Sequence, residues 1–255
     1  MIDMHCHLLD GSKDLQERVE MASQACEQGV DTIVVAPHHN NVRAEYSRIE
    51  VVEQVHTLQQ ALQQKKLPIT LLAGQLIELT GDIVEQIDQG DVLLLNEENG
   101  YVLLELPHSH VPSYTNQLLF DLQIKGYKPI IAHPEQNQVI IDNPNVLYEF
   151  VKHGALAQLA APSVVGKKAK KGKKIKKVAH QLIEANLIHF IASDSYTSSK
   201  SGYYLEQAEE EIERAHGKHV LQHYREHAQA LVDGALIIGD EPKKVRTKKA
   251  FGILW

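Results

Sequence analysis

Short apolar runs that alternate with longer amphipathic stretches constrain this sequence more than any other feature. Seven runs have strand length: Ile2–His7, Thr32–Ala36, Thr70–Ala73, Tyr101–Glu105, Pro129–Ala132, Ala157–Leu159 and His189–Ala192. Apolar strands that alternate with helices predict βαβ units and a parallel sheet. Seven units without a linker-like break favour one α/β domain, a distorted (β/α)7 TIM-like barrel. An open doubly wound sheet is the alternative.

The stretches between the strands carry apolar residues at helical spacing. One stripe comprises Ile49, Val52, Val55, Leu58 and Leu62, and a second comprises Ile175, Val178, Ala179, Leu182 and Ile183. We assign residues 1–240 to the barrel and residues 241–255 to a C-terminal tail that is basic and then apolar. Within the barrel, eight of the eleven residues 167–177 are lysine. We interpret this run as a solvated face and loop, with an anionic partner or a membrane surface as the alternative.

Charge, apolar run length and cysteine content argue against several classes of protein. The net charge of -7 disfavours a general nucleic-acid binder. No apolar run is long enough to span a membrane. Two cysteines make a disulfide framework improbable, and the absence of a signal peptide at the N-terminus predicts a cytoplasmic protein.

Potential metal ligands lie at the carboxyl ends of five of the seven strand candidates. They are His5 and His7, His38, Glu105, His133, and Asp194. His5 and His7 are two residues apart on a strand, so their imidazoles point to the same side. The carboxyl ends of barrel strands face one shared pocket, and a mixed histidine and carboxylate set suits Mn, Fe or Zn better than Ca or Mg. The sequence therefore predicts a present or ancestral metal site.

Other histidines among the 15 in the chain carry weaker signals. His219, His223 and His227 have the i, i+4 spacing of a helix, which can hold zinc, but a solvated helix face is the preferred interpretation. His108 and His110 follow Glu105 closely, and we expect them to rim the pocket.

The motifs resemble those of the PHP (polymerase and histidinol phosphatase) family, and most closely the bacterial manganese-dependent protein-tyrosine phosphatases of capsule and exopolysaccharide systems. The segments occur in the family's order along nearly the whole chain: MIDMHCHL, TIVVAPHHN, LLAGQ, LLELP, DLQIKGYKPIIAHPE, LIEANLIHFIASD and KKAFG. The resemblance implies a PHP barrel and two or three manganese ions, with iron or zinc as alternatives. It also implies hydrolysis of phosphotyrosine on a protein partner such as a bacterial tyrosine kinase.

Carried over residue by residue, the resemblance implies a set of metal ligands: His5, His7, Asp10, His38, Glu105, His133 and Asp194. His38 and Asp194 are also implied to be catalytic.

Several positions that should line the same pocket depart from the family pattern. Leu76 replaces a carboxylate that bridges two metals in the family, and Glu78, two residues later, could partly substitute for it. Gln136 replaces a phosphate-binding arginine, and Tyr196 a metal-site histidine. A further arginine expected about five residues beyond Tyr196 is missing, with Lys200 nearby, and Ala160 stands where the family often has a hydroxyl residue.

These departures leave three hypotheses open. The first is a metal-dependent tyrosine phosphatase with impaired activity. The second is a non-catalytic protein that retains phosphotyrosine or kinase binding. The third is a repurposed or engineered barrel with new chemistry or a small-molecule ligand. The departures cluster at strand ends, whereas random drift would scatter them. The sequence does not determine the oligomeric state.

Overall fold

The computed structural model describes residues 1–10, 14–39, 46–95, 100–167, 172–196 and 202–246. Within these ranges the strands are β1 (Ile2–Cys6), β2 (Thr32–Val35), β3 (His38–His39), β4 (Thr70–Ala73), β5 (Leu76–Glu78), β6 (Tyr101–Glu105), β7 (Lys128–Ala132), β8 (Leu156–Ala160) and β9 (Phe190–Ala192). The helices are α1 (Leu15–Glu27), α2 (Arg48–Gln64), α3 (Ile83–Gln89), α4 (Thr115–Ile124), α5 (Gln138–Asp142), α6 (Asn145–Lys152), α7 (Ala161–Val165), α8 (Gly172–Glu184), α9 (Leu205–His216) and α10 (Lys218–Val232). Pro134–Gln136 forms a 3-10 turn between β7 and α5.

Every strand pair is parallel, in two sheets with the orders β1-β2-β4 and β3-β5-β6-β7-β8-β9. The sheets meet where two extended runs are interrupted, between β2 and β3 and between β4 and β5. Backbone hydrogen bonds continue across both breaks, from the Gly74 amide to the Val35 carbonyl and from the Leu76 amide to the Pro37 carbonyl, each at 3.0 Å. The nine strands therefore form seven extended runs, each followed by at least one helix.

The first and last runs are also joined through their backbones. The Asp194 amide donates to the His5 carbonyl at 3.1 Å, and the His7 amide donates to the Ser195 carbonyl at 2.9 Å. The predicted fold class, a distorted (β/α)7 barrel, is confirmed. All seven predicted strands are present, with ends within one residue of the prediction, whereas β3 and β5 were not predicted.

Two apolar clusters stabilise this arrangement. The smaller one contains alternate residues of several strands, including Met4, Val34, Leu76, Leu103 and Ile130, and so fills the space inside the ring of strands. The larger one joins the opposite faces of the strands to the helices. Burying apolar surface on both faces of the strands explains why they lack a polar alternation.

The helical predictions were right in position and partly wrong in phase. All five residues of the second stripe are buried in α8. In α2, however, Ile49 and Val52 are 70% and 47% exposed, and Val51 is buried instead. The helix begins at a capping box between Ser47 and Glu50, and its buried stripe is Val51, Val55, Leu58 and Leu62. Ile49 and Val52 lie outside this stripe and face solvent.

Two predictions concern the charged segments. Lys167 is exposed, as predicted for the lysine run, whereas residues 168–171 lie outside the described ranges. The described part of the tail, up to residue 246, runs along α8 and α6. The Lys243 amide donates to the Ala185 carbonyl at 2.8 Å, and the Val245 amide donates to Asn145 Oδ1 at 2.9 Å. No helix among the described residues is long and apolar enough to cross a membrane.

Candidate metal centre

The predicted ligands converge at the carboxyl ends of the strands. β1 leads directly to His5 and His7, which point inward together because they are two residues apart. Their Nε2 atoms lie 3.0 Å from each other. Asp194 follows β9, and its Oδ1 lies 3.4 Å from His7 Nε2. These three buried residues form one group that could hold a metal ion.

A second group shares His7. Asp10 Oδ2 lies 2.8 Å from His7 Nδ1 and 2.9 Å from His38 Nδ1, so one carboxylate oxygen contacts both imidazoles. His7, Asp10 and His38 form the second candidate group of donors. The two groups together contain five donor residues, with His7 common to both.

Glu105 extends the cluster from His38 to His133. Its two oxygens lie 3.5 Å from His38 Nε2 and 3.5 Å from His133 Nε2. His133 reaches this position from a backbone with φ 33° and ψ 52°, and Asp194 has φ 52°. A positive φ in a residue with a side chain costs about 1–3 kcal/mol and persists where the surroundings impose it. Two residues of the cluster are thus held in strained backbone conformations.

The histidines of the cluster differ in the direction of their pKa shifts. Burial, followed by the proximity of His7, lowers the pKa of His5 to about 3, so its imidazole is neutral at pH 7. Burial also lowers the pKa of His38, but the Asp10 and Glu105 carboxylates outweigh it and raise this pKa to about 9. At His7, Asp10 and Asp194 outweigh burial and raise the pKa. A metal that binds His38 must therefore displace a proton, which makes binding pH-dependent.

The carboxylates respond in the complementary direction. Burial opposes ionisation of Glu105, but the hydrogen bond to His38 and the charge of His133 lower its pKa to about 2. Asp10 is lowered as well, because His38 and His7 outweigh its burial. Both carboxylates are ionised at neutral pH and can act as oxygen ligands.

Gln158 is a site residue that the sequence reasoning missed. It is fully buried on β8, and its Oε1 lies 3.0 Å from His5 Nδ1. A proton on Nδ1, donated to Gln158, leaves the Nε2 lone pair of His5 facing the cluster. Its signal in the sequence was a single amide side chain inside the apolar strand Leu156–Ala160.

The residues that depart from the family pattern surround the same cluster. The Tyr196 ring stacks on the His7 imidazole with centroids 4.1 Å apart, and Gln136 Nε2 donates to Asp194 Oδ2 at 3.3 Å. Leu76 is fully buried in register with His38 and Leu103, and Ala160 is fully buried at the end of β8. Glu78 lies in register with Glu105 but is exposed. The position of Lys200 and of the expected second arginine lies outside the described residues.

The remaining histidines lie away from the two donor groups. The His108 ring is 6.3 Å from that of His133, which fits the predicted rim, and His110 is exposed beside it. His219 and His223 lie on the exposed face of α10, as preferred from the sequence, while His227 is half-buried against His189.

A parallel α/β barrel with histidines and carboxylates at the carboxyl ends of its strands is the arrangement of metal-dependent barrel hydrolases of the PHP and related types. The chain belongs to the CpsB/CapC family of capsular polysaccharide synthesis, whose model matches residues 1–232. The resemblance identified from the motifs is thereby confirmed.

Curated relatives cover nearly the full length of the chain. It is 38% identical over 256 residues to the tyrosine-protein phosphatase YwqE of Bacillus subtilis, with 99% of both chains covered. It is 36% identical over 265 residues to CapC of Staphylococcus aureus, with 100% of both chains covered. The tyrosine-protein phosphatase CpsB of Streptococcus pneumoniae is 26% identical over 223 residues, which cover 85% of this chain and 91% of CpsB.

Solved structures of other proteins have a similar fold. A structure from work on YwqE of B. subtilis and CpsB of S. pneumoniae, described as metal-dependent tyrosine phosphatases, matches with a TM-score of 0.91 at 37% identity. It covers 97% of this chain and 100% of that one. An organophosphorus hydrolase variant from Deinococcus radiodurans, 13% identical with a TM-score of 0.54, shares the fold.

Proposed function

We propose that this chain is a metal-dependent phosphatase that hydrolyses protein phosphotyrosine in a capsular polysaccharide system, with reduced activity. The observation that carries the proposal is the pair of donor groups that share His7. Its full-length relative YwqE is named a tyrosine-protein phosphatase.

The residues present fit a pair of transition-metal ions. His5, His7 and Asp194 form a histidine-rich set for one ion, and Asp10, His38, Glu105 and His133 surround the neighbouring space. Imidazole and carboxylate donors together suit manganese, with iron and zinc as alternatives. Gln158 orients His5, as residues behind metal-ligating histidines commonly do.

Bound metals in such a site neutralise phosphoryl charge and lower the pKa of a bound water. The chain's own residues supply the rest. Gln136, held beside Asp194, offers an amide where the family has a phosphate-binding arginine. His38 has two roles, and each requires a different protonation state of its imidazole. Neutral, it is a ligand; protonated between Asp10 and Glu105, it can give a proton from Nε2 to a leaving phenolate.

We infer reduced activity from three positions. Leu76 cannot coordinate a metal, so two ions that share a carboxylate in the family lose a ligand and a neutralising charge. Tyr196 covers one face of His7. Gln136 cannot form the bidentate, charge-assisted contact that an arginine forms with phosphate.

The protein substrate that we propose is a bacterial tyrosine kinase, and the compartment is the cytoplasm. Both described cysteines are free, which fits a reducing environment.

The test is hydrolysis of a phosphotyrosine peptide by the metal-stripped protein before and after manganese is restored. A phosphoserine peptide of the same sequence and a His7→Ala variant are the controls. We expect slow release of phosphate that requires manganese, prefers phosphotyrosine and is lost in the variant. Peptide binding without any turnover would overturn the phosphatase and support a non-catalytic binding protein.

A further inference from the structure

The cationic residues of this chain are concentrated in two short segments. Residues 167–177 and 243–249 contain 13 of its 26 lysine and arginine residues and no aspartate or glutamate. The rest of the chain, with 13 basic and 33 acidic residues, has a net charge of -20. The molecule is therefore strongly polarised in charge, although its total charge is only -7.

The fold brings the described parts of these segments together. Lys173 and Lys177 are exposed on α8, and with Gln181 they form a stripe at i, i+4 spacing. Gln181 and Glu184 then line a cleft of about 530 Å³ whose opposite wall is residues 243–246. We name Lys173, Lys177, Lys243, Lys244 and Arg246, all exposed, the basic patch.

Among the described residues, the ion pairs near the basic patch lie at its border. Lys174, beside it, pairs with Asp142 at 2.7 Å, and Lys176 pairs with Glu211 at 2.8 Å. Glu184 is the one carboxylate among the residues that line the cleft. The Lys244 ammonium lies 5.5 Å from the Tyr148 ring centroid. The five exposed cations outnumber Glu184 and the two exposed carboxylates that precede Lys243, Asp240 and Glu241, which leaves a net positive surface.

Folding alone does not account for this arrangement. Lys173 and Lys174 occupy the first turn of α8, which contains no acidic residue. The N-terminus of a helix carries partial positive charge, so lysines there destabilise the helix. A cost to the helix that the fold does not require points to an external anionic partner.

The residues beyond the patch indicate which partner. The chain continues from Arg246 to the sequence AFGILW, which ends in Trp255. Cations followed at once by aromatic and aliphatic side chains are the combination that binds anionic lipid surfaces, because one signal alone gives marginal attachment. Nucleic acid would use the cations but not the aliphatic side chains.

We propose that the basic patch docks this protein on the surface of an anionic lipid bilayer. The acidic remainder of the molecule is repelled by such a surface and so faces away from it. Docking is peripheral, and it does not depend on the metal centre or on the phosphatase activity.

Sedimentation of the full chain with lipid vesicles tests the proposal. We expect binding to phosphatidylcholine vesicles that contain phosphatidylglycerol, no binding to phosphatidylcholine alone, and release at about 0.5 M salt. Trp255 is the only tryptophan in the chain, so its fluorescence should shift to shorter wavelength on the anionic vesicles alone.

Matched variants distinguish the effect of the basic patch on vesicle binding from the effect of total charge. Lys173→Glu, Lys177→Glu and Lys243→Glu together should weaken vesicle binding at least about tenfold. Lys65→Glu, Lys66→Glu and Lys218→Glu, exposed elsewhere, change the net charge equally and should weaken it much less. Both triple variants should hydrolyse a soluble aryl phosphate as the parent does. Equal loss in the two variants, no vesicle binding at all, or tighter binding to duplex DNA than to vesicles would overturn the proposal.

Discussion

The Tyr196 ring lies flat on the His7 imidazole, with ring centroids 4.1 Å apart and planes inclined by 8°. His7 is the residue that both donor groups share. An aromatic ring therefore covers one face of the central histidine, at the position where the family has a metal-site histidine. The two residues are joined by a parallel β-bridge, so the backbone places their side chains next to each other.

Restoring the family residues at three positions should raise activity. The variant Leu76→Glu, Tyr196→His, Gln136→Arg regains a bridging carboxylate, an imidazole and a bidentate phosphate contact. A charged hydrogen bond contributes about 1.5–3 kcal/mol, and each 1.36 kcal/mol is tenfold in rate. We expect turnover of an aryl phosphate in manganese to rise at least about tenfold. A parent that already matches this variant, with a full metal complement, would show that the site is not impaired.

Leu76→Glu alone should make the stability of the fold depend on bound manganese. Leu76 is fully buried among apolar residues inside the barrel, so an unpaired carboxylate there should cost several kcal/mol of unfolding free energy in metal-free protein. Manganese should raise the melting temperature of this variant more than that of the parent. Leu76→Gln, of similar shape but without charge, is the control. An equal manganese response in Glu and Gln variants would mean that position 76 does not reach the metals.

Gln158 is expected to set the metal affinity through His5. Gln158→Leu removes the acceptor 3.0 Å from His5 Nδ1 and should weaken manganese binding about 10–100-fold. Gln158→Glu keeps an acceptor and should retain most of the affinity. Titration with manganese, with circular dichroism as the check on folding, distinguishes the two. Unchanged affinity in the leucine variant would exclude the orienting role.

His189 makes stability depend on pH at the opposite end of the barrel. Burial, and then the charge of His227, lowers its pKa from 6.5 to about 3, and its Nδ1 accepts the Ala157 amide at 3.1 Å. Between pH 6.5 and 3, His189 is therefore protonated in the unfolded chain but neutral in the folded protein. The contribution of His189 is complete above pH 6.5 and is lost as the pH falls toward 3, by up to 1.36 kcal/mol per pH unit.

The measurement is urea unfolding at several pH values from 7 to 4. His189→Asn keeps an acceptor for Ala157 but cannot be protonated, so its stability should fall less steeply with acid than that of the parent. Parallel curves for the two proteins would show that another group causes the acid sensitivity.

The strands and ligand positions could be predicted because their signals are local. Apolar runs mark the strands, and the polar residues that end them mark the mouth of a parallel barrel. The breaks after Val35 and Ala73 were missed, although Pro37 and Gly74 lie in them and such residues interrupt strand pairing. Gln158 was missed because its partner His5 lies 153 residues away. The phase of α2 was missed because the adjacent Val51 and Val52 fit two different helical stripes, and only packing against the core selects Val51.

The number of metal ions bound per chain tests the central claim most directly, since His7 belongs to both donor groups. Elemental analysis of protein reconstituted with manganese should find more than one ion per parent chain at saturation. His7→Ala should lose most of this metal, while the exposed-surface variant His56→Ala should keep it. A His7→Ala protein that is folded and retains the full complement would contradict the metal centre described above.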